Sequence, residues 1–439
     1  MQIAKTATQA YNACNPDISI DAGDERYVDL NTSRGFPRPG GIASDIAWRI
    51  GQAGKQYCTQ LVTGHRGCGK TTELLQLKAR LERQRFLVIY EDIDDTLDLA
   101  EVTYHDILLA IANAIEKTLR SKNISISKSF SEDLEKWFAE KVIKSNKYLE
   151  YSLEGSVGGS IEAQIPTLAK VLASITGRIK GGGESRVEIR QTLDREISVF
   201  IQQLNAMIIA ARTAVLAAGY VDFVIIVDSL ERISLRRSND KQSDRNNHTE
   251  LFIENADRLK SPQCHIVYTA PISLLYNTNL GNSYTDGLQL IPMVDVKKAT
   301  GHSKMIEMVK KRIDTAALFE KPELLDELIT FSGGAVRDVM RLIRFASEQL
   351  DTKITANEIS IAKRALMNEF EYMLRDEDIP TLIQAHQNRD ISGNDQAARL
   401  LFYRLIHEYR NGERWVDVHP AVLAIRRVTR ALAEHIHPN

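Results

Sequence analysis

QLVTGHRGCGKTT, residues 60–72, decides how the rest of the chain is read. A short apolar run ends at Gly64, and Gly64 to Thr71 satisfies G-x-x-x-x-G-K-[ST] without a mismatch. Residues 71–84 then place Leu74, Leu75, Leu77 and Leu81 on roughly one face, which predicts a helix. Strand, glycine loop and helix in that order make a cradle for phosphate. Glycines let the backbone of Gly64, His65, Arg66, Gly67, Cys68 and Gly69 curl until several N–H groups converge, and the helix N-terminus adds its partial positive charge. In such a loop Lys70 reaches the β- and γ-phosphates, the Thr71 hydroxyl ligates magnesium, and Thr72 beside it is expected among the nucleotide-binding residues. The expected ligands are ATP and Mg2+.

Further strands lie on both sides of this loop. FLVIYEDI (86–93), VDFVIIVDS (221–229), HIVYTA (265–270) and the weaker LQLIPMV (288–294) alternate with helical stretches near 104–120, 186–218 and 248–259. That alternation predicts an α/β fold, a parallel sheet with helices on both faces. The apolar run Val224–Val227 ends at Asp228, expected at the tip of a strand neighbouring the loop and suited to the magnesium shell. Glu231, three residues on, is the expected base that orients and deprotonates the attacking water, since Ser229 occupies the position directly after the Asp. Thr269 ends the next strand and is read either as a γ-phosphate contact or as a buried structural hydroxyl. Arg337, in SGGAVRDVMRLI (332–343), follows a Gly-Gly turn near a helix start and is expected to reach the nucleotide from a lid.

The chain divides, on this reading, into an N-terminal helical and irregular segment (1–55), a nucleotide-binding core (56–299) carrying an insertion (121–190), a helical lid (300–370) and a winged-helix-like region (371–439). Asn411-Gly412, between two runs that can pair, marks a hairpin in the last of these. Within the insertion, IPTLAKVLASITGRIKGGG (165–183) has the spacing of an amphipathic helix. It could lie on a membrane surface, but packing on its own domain or on a partner is the preferred reading.

Composition narrows the classes. Acidic and basic residues nearly cancel, at 58 against 56, so a nucleic-acid surface would have to be local. A local excess exists at Arg404, Arg410, Arg414, Arg426, Arg427 and Arg430, where DNA contact is conceivable but protein contact is favoured. Cys14, Cys58, Cys68 and Cys264 are scattered, with no C-x-x-C pair and no histidine cluster at metal spacing, which fits a reducing cytoplasm. No signal-peptide core and no run of roughly 18 uncharged apolar residues is present, so no membrane span is expected.

The loop, the tip VDSLER and the Gly-Gly-x-x-Arg lid helix together resemble the AAA+/STAND group of ATPases over about residues 25–350. The Asp228-to-Glu231 spacing is similar to the D-x-x-[DE] form of STAND and KAP proteins, and the order of lid and winged helix resembles the archaeal and eukaryotic replication initiators. The resemblance implies an ATP-hydrolysing, nucleotide-gated switch that forms homo-oligomers or controls a separate effector or sensor protein, as in bacterial antiviral defence. Its alternative is a DNA-associated initiator or loader ATPase; a metabolic kinase is a third class, against which the absence of an acceptor-site motif counts. Ala270-Pro271 stand where STAND proteins often carry an arginine, and no tandem repeats follow the core. An arginine finger from a neighbouring subunit has Arg258 and Arg312 as its candidates.

Overall fold

The computed structural model describes residues 3–54, 56–138, 168–236, 246–277, 280–285, 288–348 and 353–436. Five strands, β1 (Thr59–Gly64), β2 (Leu87–Asp92), β3 (Phe223–Asp228), β4 (His265–Thr269) and β5 (Leu288–Ile291), form one parallel sheet in the order β2-β3-β4-β1-β5. All six residues of β3 are buried, the burial expected of the most apolar run once it lies inside a sheet covered on both faces. Alternate side chains serve opposite layers. Phe223, Ile225 and Val227 pack with the helices Tyr104–Ser121, Leu168–Gly181 and Ile197–Ala217. Val224 and Ile226 face the helices Gly41–Gln52 and Lys70–Arg83. The α/β architecture is therefore the one read from the sequence.

Several details differ from the sequence reading. Asp228 does not end a strand next to the loop strand: β4 lies between, pairing Thr269 with Val62 on one side and Tyr268 with Val227 on the other. Strand order depends on where each crossover helix packs, and no single strand encodes that. The helix expected at 186–218 is two, Gly183–Arg195 and Ile197–Ala217, broken at Glu196. The one expected at 248–259 is interrupted by a π-helical stretch, Glu250–Glu254. In the candidate membrane-surface segment, Leu168–Gly181 buries Leu168, Val171, Leu172, Ile175 and Ile179 in the core, so that face is packed inside the protein; residues 165–167, and 139–164 of the insertion, lie outside the described residues. Ile197–Ala217 is, by length and composition, apolar enough to cross a membrane. Arg212 interrupts its apolar run, and here Arg212 donates to Asp222 at 3.0 Å while Phe200, Leu204, Met207 and Ile208 are buried.

A separate core gathers the helices after residue 299 with the antiparallel hairpin β6 (Ile406–Asn411) and β7 (Glu413–Val418). Ala4, Ala10, Cys14, Val28 and Leu30 of the N-terminal segment are buried in it too, and Ala4 bridges to Ile313. Asp338 lies buried where this region meets the hairpin. It accepts two hydrogen bonds from Arg404 (2.9 and 2.7 Å) and one from His419 (3.2 Å). Burial alone would raise the Asp338 pKa, but Arg404 and His419 hold it well below the carboxylate range. Asp338→Asn removes the charge and strands Arg404 in the interior. It is expected to cost about 3–5 kcal/mol of stability in urea unfolding, the usual cost of breaking a buried pair.

Candidate active site

The glycine loop leaves β1 at the carboxyl edge of the sheet, where chain connections run to opposite sides: β5 is one neighbour and β4 the other. Gly67 has φ +86°, and a Cβ there would fall 2.4 Å from the Cβ of Arg337, so a side chain is excluded both by conformation and by space. The close approach is real bonding: the Arg337 N–H donates to the Gly67 carbonyl at 3.1 Å, seating the helix Val336–Ala346 directly on the loop.

Lys70 is only 4% exposed, and its ammonium is fully engaged. It donates to the carbonyls of Gly64 (2.9 Å) and His65 (3.0 Å) and sits 3.2 Å from the Glu231 carboxylate. Glu231 gets there through a strained turn. Ser229, a buried non-glycine residue at φ +69°, bends the chain after β3, a conformation that costs about 1–3 kcal/mol and clusters at functional sites. Thr269 holds the bend: its hydroxyl oxygen accepts the Leu230 N–H at 2.9 Å, and its side chain lies near enough to the Glu231 carboxylate to favour the charged form. Burial pushes the Glu231 pKa up, but the Lys70 charge, a backbone N–H and Thr269 together bring it below the ordinary value. Its second oxygen, Oε2, is buried with no partner, the arrangement expected of a group that takes a water.

Asp228 is likewise buried. Tyr90 donates to its Oδ2 at 2.6 Å and the Ser229 N–H to Oδ1 at 2.7 Å, and the Thr71 side chain lies near enough to favour its charged form. Burial, then the Glu231 charge, raises its pKa. Thr71 and Asp228, read separately from sequence as magnesium ligands, are thus brought close together. A hard cation prefers oxygen donors of this kind, and it would also relieve the carboxylate's burial.

The cleft in front of these groups is lined by Arg66, Gly67, Gly69, Lys70, Thr71, Thr72, Glu231 and Arg337 among the expected residues. Asp228 and Thr269 stand behind that lining, so Thr269 supports the turn instead of facing the cleft. His65 and Cys68 also turn away. Cys68 Sγ is buried against the sheet, and the His65 ring points into the C-terminal region: Nδ1–H donates to Leu401 O (3.2 Å) and Nε2 accepts from Glu408 N–H (2.8 Å). Arg337 enters the cleft but bonds Asp17 (2.6 Å) and the Pro16 carbonyl. Arg312, a candidate finger for a neighbouring subunit, is instead buried in this chain's own cleft and donates to Met308 O and Arg26 O. Arg258 lies away from it, on the turn Ala256–Leu259.

Sequence reasoning missed three contributors. Arg26 and Arg34, from the segment read as irregular, line the cleft, and Arg34 donates to Glu73 (3.0 Å) and to the Cys68 carbonyl of the loop. The third is Tyr90, whose only signal was its place on β2. Seven cationic side chains against three carboxylates line the cleft, the charge balance of a polyanion site. The fold also gathers Asp338, His407 and His419, which no spacing foreshadowed. Two of the three are already committed: Arg404 holds Asp338, and His419 Nδ1 accepts from Ala421 N–H, leaving Nε2–H to donate to Asp338, while His407 Nε2 is buried without a partner.

No known protein family matches the chain, and no curated protein matches it in sequence. Similar solved structures include the Aeropyrum pernix ORC1 protein in complex with DNA (12% identity, 97% of this chain and 96% of that one, TM-score 0.42). Drosophila ORC bound to DNA (12%, 97% and 91%, 0.40) and the Walker-type ATPase PABY2304 of Pyrococcus abyssi (12%, 91% and 99%, 0.36) are two others. Likeness at that level says nothing of what this chain binds.

Burial, then the Lys70 charge, holds His65 near pKa 3, and burial holds His248 near 4. Both are near 6.5 when unfolded, so the unfolded chain binds more protons below that pH. Their stabilisation is complete above about pH 6.5 and is lost progressively as pH falls toward the folded values. The thermal midpoint should therefore drop between pH 7 and pH 5. His65→Leu should lower the midpoint at pH 7.5 and flatten that slope; an unchanged slope would mean that His65 is not buried neutral.

Proposed function

We propose that the chain binds ATP with magnesium and hydrolyses it, as an AAA+-type ATPase, and that the nucleotide sets the position of its C-terminal region. The observation that carries this is the meeting of Lys70, Glu231, Thr71 and Asp228 at the edge of one strongly cationic cleft. The glycine loop and Lys70 would hold the phosphates, and Thr71 with Asp228 would hold Mg2+, which draws negative charge off the triphosphate when bound. Glu231 would orient the attacking water and take its proton, with Thr269 and Lys70 fixing its carboxylate. Residues 300–370 would be the lid, with Arg337 as its nucleotide sensor, and 371–439 the winged-helix-like output.

Two finer readings follow from what that output touches. A DNA-associated ATPase of the initiator or loader type has the more specific support, from exposed Arg410, Arg426 and Arg430 on the C-terminal region. That support is narrower than the sequence suggested, because Arg404, Arg414 and Arg427 are committed to Asp338, Glu408 and Asp376. A switch that controls a separate protein effector, in a homo-oligomer, rests on the coupling of loop and C-terminal region alone. Binding to a duplex at several salt concentrations separates them: phosphate contacts give an affinity that falls steeply with salt, and direct protein contacts need not.

Glu231→Gln should retain ATP affinity by calorimetry while turnover falls by a factor on the order of 10². Turnover near wild type would reduce Glu231 to a structural role. Arg337→Ala should leave ATP binding largely intact and abolish the difference between ATP and ADP in small-angle scattering. A charge-assisted contact made only with the γ-phosphate is worth about 1.5–3 kcal/mol, enough to reverse a tenfold preference for a closed lid. A mutant that still separates the two nucleotides would remove Arg337 from the sensor role.

A further inference from the structure

Six of the seven cations that line the cleft are already engaged. Arg26 is paired with Asp24, Arg34 with Glu73, Lys70 with Glu231, Arg232 with Asp94 and Arg337 with Asp17, while Arg312 donates to two backbone carbonyls. Arg66, inside the glycine loop itself, is the exception among the described residues: its guanidinium makes no hydrogen bond and no ion pair, and it reaches water at the mouth of the cleft. An arginine without a counter-ion, placed among other cations, lacks only an anion.

We infer that Arg66 is the catalytic arginine of ATP hydrolysis, supplied by the same chain that binds the nucleotide. This rests on the ATPase reading above. The electrostatics around Arg66 agree with it. Partial desolvation, then the charges of Arg337, Arg232 and Arg404, lower its pKa, and Glu231 opposes them, so the guanidinium lies within electrostatic reach of the carboxylate that would take the proton. A bound γ-phosphate relieves that crowding. The other arginines must first give up a partner; Arg66 need not.

In the step itself, a bond forms from the water oxygen to the γ-phosphorus. The bond from that phosphorus to the β–γ bridging oxygen breaks, and ADP leaves with the electron pair. The water proton passes to Glu231. Negative charge spreads over the γ-oxygens and onto the bridging oxygen, and a guanidinium entering from the loop side can hold both. Arg312 cannot serve a neighbour, being buried in its own cleft, so the inference also predicts that turnover needs no second subunit.

The test compares the wild type with Arg66→Ala and Arg66→Lys, measuring ATP affinity by calorimetry and steady-state turnover over a wide range of protein concentration. Expected are an ATP affinity within a few-fold of wild type for both variants and a kcat lowered on the order of 10³-fold in Arg66→Ala. Arg66→Lys should recover only part of that, because a point charge lacks the fork. Turnover per molecule of wild type should be independent of concentration. Mixing Arg66→Ala with Glu231→Gln should restore nothing, because each site lacks a group of its own. Restored turnover on mixing would assign the arginine to a neighbour and overturn the inference. So would an Arg66→Ala kcat close to wild type. A wild type that binds ATP without hydrolysing it would overturn this inference together with the ATPase reading, whereas an active wild type with an active Arg66→Ala overturns the inference alone.

Discussion

One buried ammonium organises this molecule. Lys70 is nearly inaccessible, and a charge in that position is tolerated only if acceptors surround it. Two are loop carbonyls, which the glycine-rich curl turns inward; the third is Glu231, which arrives from two strands away. To bring it there the chain accepts a left-handed Ser229 and uses the Thr269 hydroxyl on the intervening strand as a brace. The same bend leaves Asp228 at the strand tip against Thr71 and Tyr90. The placements of Lys70, Glu231, Thr71 and Asp228 are thus consequences of one constraint.

The loop is also the joint between the sheet and everything after residue 299. Gly67 presents its carbonyl to the helix Val336–Ala346, and His65 presents both ring nitrogens to the C-terminal region. Arg34 ties the N-terminal segment to the Cys68 carbonyl. A loop whose neighbouring residues are each bonded to a different part of the chain cannot change conformation privately. Movement of its backbone alters four hydrogen bonds to three parts of the chain at once, and all are short-range and directional, so they either hold or break. Coupling between the loop and these three parts of the chain is therefore local and needs no long-range pathway.

Two features of the site could be read from residues 60–72 and 223–231 alone, because local patterns encode local structure. A glycine loop between an apolar run and a helix makes a phosphate cradle in nearly any context, and an apolar run ending in Asp is a buried strand tip. The reading failed where the partner was distant. His65 belongs to the loop pattern, yet its ring serves the C-terminal region. Arg312 has no pattern at all, and it lies in this chain's own cleft because the turn that carries it, just after the helix Ala299–Lys310, is bonded to the N-terminal segment through Ala4 and Arg26. Half of the arginines that suggested a DNA surface are neutralised by carboxylates, one of them, Asp338, 66 residues away from its arginine.

What the sequence determined by itself was therefore the parallel α/β class, the glycine loop between strand and helix, and the identities of the groups at the strand tips, since these rest on hydrophobic periodicity and on backbone chemistry within a dozen residues. Tertiary structure alone decided the strand order, the cis placement of Arg312, the inward turn of His65 and which cation of the cleft is left unpaired. Each of these depends on which charged or polar group meets another across the fold. Burial makes that choice unforgiving, because a charge removed from water must find a partner, and the nearest in sequence is seldom the nearest in space.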